Sequence, residues 1–303
     1  MKQSKIGMIG CGMISEVYAK NITERFGDLQ LVACADLRME AAQARAEQFG
    51  TKAMTVDELL ADTDIDIVLN LTIPDQHAAV SMAALKAGKN VYSEKPLAIH
   101  MQDAKELVEY AKAHNLLLGT APDTFMGAGI QTARKVIDSG MIGDVIGANC
   151  AMVCHGHETW HPDPEFYYKR GGGPMMDMGP YYVTALVQLL GEAKGVMGMT
   201  KKSFERRIIT SAPHCGEVVD VDVDTYLTGN ILFSSGAIAQ IFTTFDVYYG
   251  PSAQARFEVY GTRGTLVVPD PNTFGGPVLL LRPEDQAATA KIDPGLMRHS
   301  TPS

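Results

Sequence analysis

The chain is poor in basic charge, in paired cysteines and in long apolar runs, and each shortage removes a class of function. Its 26 lysines and arginines are outnumbered by 35 acids, for a net charge of -9, with no Lys/Arg-rich run. A nucleic-acid partner would leave a basic footprint, so none is expected. The five cysteines (Cys11, Cys34, Cys150, Cys154 and Cys215) are scattered and form no CxxC pair. That pattern predicts reduced thiols in a cytoplasmic protein, not a disulfide framework. No uninterrupted apolar stretch reaches about eighteen residues, and glycines break the apolar N-terminus, so neither a membrane span nor a cleavable leader is expected. GxSxG is also missing, which disfavours serine hydrolases.

What is present suffices for two ordinary domains: 303 residues, 46% hydrophobic and 20% charged. The first half alternates strands and helices. Lys5 to Ile9 reads as a strand running into Gly10-Cys11-Gly12-Met13-Ile14-Ser15, with a helix-compatible stretch from Ser15 to Asn21. In this context a glycine turn is informative. Gly10 permits the tight turn, Gly12 leaves room for a pyrophosphate, and the unpaired N–H groups at the helix start, near Met13 and Ile14, favour an anion. Ser15 stands where a third glycine would be. Leu29 to Ala35 is a buried-strand pattern ending in Asp36, placed to accept hydrogen bonds from an adenosine ribose and to repel a 2′-phosphate. Asp36 therefore points to NAD, while nearby Arg38 keeps NADP possible. The plainer alternative is that Asp36 caps the helix Met39 to Phe49.

The helix Val56 to Ala61 and the strand Ile65 to Leu71 follow. Thr72-Ile73-Pro74 closes that strand, and His77 opens an alanine-rich helix. Asn90-Val91-Tyr92-Ser93 then ends in Glu94-Lys95-Pro96, with the helix Met101 to His114 and the strand Leu116 to Gly119 beyond it. This alternation predicts a doubly wound parallel sheet. Lys95 falls at the carboxyl end of a strand, where such sheets hold ligands, and Pro96 favours an extended conformation for it. A lysine aimed and partly desolvated there can exchange protons near neutrality.

After Pro122 the texture changes. A helix near Ala128 to Ser139 precedes strands at Val145 to His155, Val196 to Phe204, Thr225 to Phe233, Ala237 to Phe245, Ala255 to Tyr260, Thr265 to Val268 and Val278 to Leu281. Turn-linked strands imply an α+β domain with a large, mostly antiparallel open sheet. The expected boundaries are 1–122 for a dinucleotide-binding domain and 123–303 for a substrate-binding and oligomerisation domain. In the second, His155, His157, Trp160 and Tyr168 form a polar and aromatic segment suited to a sugar. Zinc at His155, His157 and His161 is the rival, with no CxxC pair beside it. A helix from about Met176 to Leu190 would put Asp177 and Tyr181 on one face, able to bind a polyol and steer a proton. The plainer alternative is a capping aspartate and a core tyrosine. Along Ala237 to Phe245 neither face is clearly polar, which predicts burial of both, one of them against a partner subunit.

Gly10-Cys11-Gly12, Asn70-Leu71-Thr72-Ile73-Pro74 with His77, Glu94-Lys95-Pro96, and Gly171-Gly172-Gly173 with Asp177 together resemble the glucose–fructose oxidoreductase/inositol dehydrogenase/MocA-type family, over about Ile6 to Pro269. The resemblance implies an N-terminal Rossmann domain, a C-terminal domain with a large open sheet, NAD or NADP as cofactor, and a sugar, inositol or related polyol as substrate. It also implies a homo-oligomer, a dimer or tetramer. Thr72, Pro74, His77 and Glu94 would belong to the cofactor site, Lys95 to substrate binding and proton transfer, and Asp177 to the substrate site. Two departures stand out. Tyr181 occupies the position where many relatives carry histidine, and the polar tail Lys291 to Ser303 looks short. Alternatives within the same resemblance are a non-catalytic dinucleotide sensor and an NAD-dependent, redox-neutral glycosidase.

Overall fold

The computed structural model describes residues 3–248 and 256–285. The chain divides into two compact units, Met1–Pro122 and Asp123–Ser303.

In the first unit the elements run β1 (Ser4–Ile9), α1 (Met13–Glu24), β2 (Leu29–Ala35), α2 (Met39–Phe49), β3 (Lys52–Met54), α3 (Val56–Ala61), β4 (Ile67–Asn70), α4 (Pro74–Lys86), β5 (Asn90–Ser93), α5 (Met101–Ala113) and β6 (Leu118–Thr120). The strands form one sheet in the order β3-β2-β1-β4-β5-β6. Every pairing is parallel. A parallel sheet must be covered on both faces, and the strands supply apolar side chains to both. Met8, Leu31 and Cys34 pack on one side with Ala19 and Ala42, whereas Ile9, Val68 and Val91 pack on the other with Leu59 and Leu107. The strand order reverses between β1 and β4, which opens a crevice at their carboxyl ends. The helix expected to open at His77 begins at Pro74, because proline suits a first turn whose N–H groups are unpaired anyway.

The second unit holds α6 (Ala128–Asp138), β7 (Val145–Val153), α7 (Pro174–Asp177), α8 (Gly179–Leu190), β8 (Ala193–Lys201), β9 (Arg206–Ile208), β10 (Val218–Asp220), β11 (Tyr226–Phe233), β12 (Ile238–Thr244), β13 (Arg256–Gly261), β14 (Thr265–Val268) and β15 (Leu279–Leu281). Seven strands form a sheet in the order β15-β14-β13-β7-β12-β11-β8, with β9 and β10 as a separate hairpin that sequence patterning missed. β7 and β12 pair in parallel and their other neighbours antiparallel, so the sheet is mixed. Ile130 and Ala133 of α6 and Leu186 and Leu189 of α8 bury one face against Cys150, Ile241 and Phe257. Edge strand β8 is exposed along its whole length, including Val196, Met197 and Met199.

Two expectations change here. The single helix from Met176 is two, α7 and α8, meeting at Met178; Pro180 has no N–H to donate back to the carbonyl four residues earlier. His155, expected to end the strand from Val145, is not on one, since β7 ends at Val153 and Gly156 turns the chain at φ +80. In β12 the face carrying Ala239, Ile241 and Thr243 is buried, and Ile238 on the other face is 53% exposed in this single chain. The tail Lys291 to Ser303 and residue Ala255 lie outside the described residues. Among the described residues no helix is long and apolar enough to cross a membrane, and no cluster of His, Cys, Asp or Glu is placed to hold a metal ion.

Candidate functional site

In the first unit the site begins at the glycine turn. Gly10 has φ +100, and a Cβ there would lie 2.5 Å from the Leu71 carbonyl oxygen, so only glycine fits. Gly12 is the N-cap of α1, and a Cβ there would meet nothing within 4 Å. The space before the helix N-terminus is therefore open, as a pyrophosphate requires. Ser15 is fully buried and donates its hydroxyl to the Gly12 carbonyl at 2.5 Å, which is how a small serine serves in place of the third glycine. Met13 and Ile14 open α1 and are exposed.

Asp36 closes this turn against the end of β2. Its Oδ2 accepts from the Cys11 N–H at 2.8 Å, and its Oδ1 from the Arg38 N–H at 2.9 Å. The N-cap of α2 is Arg38 and has no side-chain cap, so Asp36 does not cap that helix. A cleft of about 390 Å³ lies here, lined by Gly10, Gly12, Asp36, Arg38 and Thr72, with Leu37 and Ile73 among its apolar walls. The residues fit a dinucleotide: open N–H groups for the pyrophosphate, a carboxylate for the ribose, and apolar walls for a base.

The next two strand ends are braced to each other. Asn70, fully buried and without an assigned role in the sequence reading, donates to the His77 carbonyl at 3.0 Å and to Ser81 Oγ at 2.9 Å. Its Oδ1 accepts from the Thr72 hydroxyl at 2.7 Å. His77 is 1% exposed, and its ring nitrogens lie 2.6 Å from the Pro96 carbonyl oxygen and 2.8 Å from that of Thr72. It therefore ties Thr72 and Pro74 to the lysine turn from beneath. Expected in the cofactor site, it is too deeply buried to touch a ligand. Glu94 accepts from the Tyr18 hydroxyl at 2.8 Å and from the Lys95 N–H at 3.0 Å. Lys95 is thus half-buried just beyond β5, on a turn held at both sides.

In the second unit the segment after β7 folds over a buried charge network. Arg207 and Glu158 are 5% and 4% exposed. Arg207 Nη1 lies 3.0 Å from Glu158 Oε1, and its Nη2 lies 2.6 Å from Asp246 Oδ1. The Tyr168 hydroxyl donates to Glu158, and the Thr225 hydroxyl donates to Asp246 at 2.7 Å. Two carboxylates sharing one guanidinium survive burial because each has a further hydrogen-bond donor. Tyr168, expected to touch substrate, is fully buried in this network. It belongs to the scaffold, because its hydroxyl is committed to Glu158 and to the His157 N–H. His155 stacks on Tyr248 with ring centroids 3.6 Å apart.

Above the network sits His157, whose Nε2 lies 3.2 Å from Asp177 Oδ2. Its ring meets Tyr167 at 4.2 Å, Phe245 at 4.6 Å and Trp160 at 5.3 Å between centroids, all edge-on. Trp160 is 58% exposed. The Tyr167 phenol is pushed above its ordinary range, by burial first and then by the charge of Asp177. His161 is held below its ordinary range by burial, and its Nδ1 accepts from the Asp163 N–H at 3.0 Å. Tyr181 is half-buried near the start of α8 and packs against the core. Gly172 allows the close approach that seats α7, since a Cβ there would lie 2.4 Å from the Phe166 carbonyl oxygen. Glu158, Arg207 and Asp246 escaped the sequence reading: they are far apart in the chain, and only the fold joins them.

Comparison with known proteins agrees with both halves. The family model for the GFO/IDH/MocA oxidoreductases, with an NAD-binding Rossmann fold, matches residues 4–121. The model for their C-terminal domain matches residues 130–267. A 1,5-anhydro-D-fructose reductase from Ensifer adhaerens is 28% identical over 266 residues, covering 86% of this chain and 74% of that protein. A myo-inositol 2-dehydrogenase from Thermotoga maritima is 25% identical over 264 residues, with the same coverage of 86% and 74%. The crystal structure of an NAD-binding oxidoreductase from Klebsiella pneumoniae superposes with a TM-score of 0.79 at 25% identity, over 92% of this chain and 76% of that one.

Proposed function

Because the chain belongs to the GFO/IDH/MocA oxidoreductase family, we propose that it is an NAD-dependent enzyme transferring a hydride between a nicotinamide and a hydroxyl-bearing carbon of a sugar, inositol or related polyol. The observation that carries this reading is the cleft at the end of β1 and β2, where Gly10, Gly12 and Asp36 offer an anion seat beside a ribose acceptor. The cofactor supplies the redox chemistry when bound; the protein supplies geometry and charge. Lys95 polarises the substrate oxygen with its ammonium. Asp177 and Tyr181 are the further groups assigned to the substrate, with His155, His157 and Trp160 in support. Residues 1–122 hold the cofactor, and residues from 123 onward hold the substrate. Supporting the substrate class are the relatives' own names, a sugar reductase and an inositol dehydrogenase.

A second copy of the chain is the proposed cover for the open sheet face, which carries Met197, Met199, Leu232 and Ile238 in exposed positions. The test of function is a turnover screen of cyclic polyols, pyranosides and keto-sugars with NAD and NADP, followed at the absorbance of the reduced cofactor. The reading predicts net hydride flow with at least one class. Glycoside cleavage without net cofactor reduction, or dinucleotide binding with no turnover, would replace it.

A further inference from the structure

We propose that His157 is the catalytic acid/base of this enzyme, taking the proton of the substrate hydroxyl on Nδ1 while Asp177 holds the opposite nitrogen. The inference rests on the oxidoreductase reading above and names the proton carrier within it.

The geometry assigns the two nitrogens different tasks. Asp177 Oδ2 lies 3.2 Å from His157 Nε2. An ionised carboxylate can only accept, so it fixes the proton on Nε2 and leaves the Nδ1 lone pair outward. Nδ1 makes no hydrogen bond among the described residues and is not among the buried unpartnered atoms, so it faces accessible space. The ring is not free to turn, since Tyr167, Phe245 and Trp160 pack edge-on around it, and the backbone N–H of His157 donates to the Tyr168 hydroxyl at 3.3 Å. That hydroxyl is in turn anchored by Glu158 and so by the buried Arg207. A base positioned by a carboxylate and locked by packing is the arrangement that proton transfer needs.

The neighbouring phenols are poorer candidates. Burial and Asp177 push the Tyr167 phenol away from neutrality. Tyr181 is half-buried and packs against the core of the second unit. The titratable groups around His157 are Asp177 on α7, Tyr167 and Tyr168 on the turn before it, and His161 on its own loop, with Glu158 and Arg207 beneath.

The step balances. The substrate O–H bond would break, its electrons forming the carbonyl and its proton ending on Nδ1, while the carbon's hydrogen would leave with its electron pair to the nicotinamide of a dinucleotide that Gly10, Gly12 and Asp36 would hold. The imidazolium so formed sits against the Asp177 carboxylate. In the reductive direction the same nitrogen returns the proton to the oxygen.

The test uses the full-length enzyme with NAD and either myo-inositol or methyl β-D-glucoside as probe. H157Q should lower kcat by roughly 10²–10⁴-fold, lose the imidazole limb of the pH–rate profile, and leave NAD affinity within a few-fold. Its loss should exceed that of Y181F. Independently of turnover, ¹⁵N NMR of ring-labelled histidine should show His157 as the Nε2–H tautomer in wild type and lose that preference in D177N. Turnover of H157Q within threefold of wild type, a larger loss and limb removal in Y181F, or an Nδ1–H tautomer would overturn the assignment. If wild type turns over neither probe, the oxidoreductase reading loses support, and the tautomer still decides the dyad. Should H157Q not fold, the wild-type tautomer needs no variant.

Discussion

The glycine-turn cleft and the loop cluster around His157 are built in opposite ways. In the first unit each candidate group stands at the end of a strand, and its supports come from the next strand or turn: Asp36 on the Cys11 N–H, Asn70 on Thr72, His77 on Pro96. In the second unit the groups ride on a non-repetitive segment between β7 and α7. That segment is pinned by Arg207 and Asp246, whose ion pairs span 49 and 39 residues of chain. Strand ends inherit their direction from the sheet, whereas a loop must be given one by buried contacts. The first region should therefore tolerate loss of one support better than the second, where a single guanidinium holds two carboxylates.

The comparison breaks most visibly if the strand-end lysine proves dispensable. Lys95→Met should reduce kcat by roughly 10²–10⁴-fold with the fold intact by circular dichroism. Turnover close to wild type would mean that the chemistry resides in the loop cluster alone. Arg207→Met comes next. Removing the charge leaves Glu158 and Asp246 buried without a cation, which should cost roughly 3–5 kcal/mol in urea unfolding of the affected unit. A cost below about 1 kcal/mol, the level of an exposed pair, would show that the loop is held by its aromatic contacts instead. Asp36→Ser sharpens the picture of the cleft. Loss of a charged acceptor for the ribose should weaken NAD binding roughly tenfold and narrow the gap to NADP. A wild type that prefers NADP would assign the decision to Arg38. The smallest effect is purely local. Thr55 and Glu58 form a capping box at the start of α3, so Thr55→Ala should lower Tm by roughly 2–4 °C without changing kcat.

Much of the first region was legible because its information is local. A glycine with positive φ and an acid after a buried strand each act within a few residues, and alternating apolar runs specify a parallel sheet. What patterning misjudged there was depth: His77 looks like a ligand residue on paper, yet both ring nitrogens are spent on backbone carbonyls. In the second region the periodicity of Ile238 to Thr244 fitted a strand but could not say which neighbours it takes. The helix expected from Met176 was divided because one missing N–H at Pro180 outweighs an otherwise helical pattern.

The sequence by itself determined the two-domain plan, the nucleotide-binding turn and the lysine at a strand end, since these depend on backbone conformations that single residues permit or forbid. Only the tertiary structure decided that His157 meets Asp177, that Tyr168 is scaffold, and that Glu158, Arg207 and Asp246 share one buried network. The physical reason is the range of the forces involved. Steric preference acts along the chain, whereas a buried charge is stable only where partners from several elements arrive together, and no spacing in the sequence records that meeting.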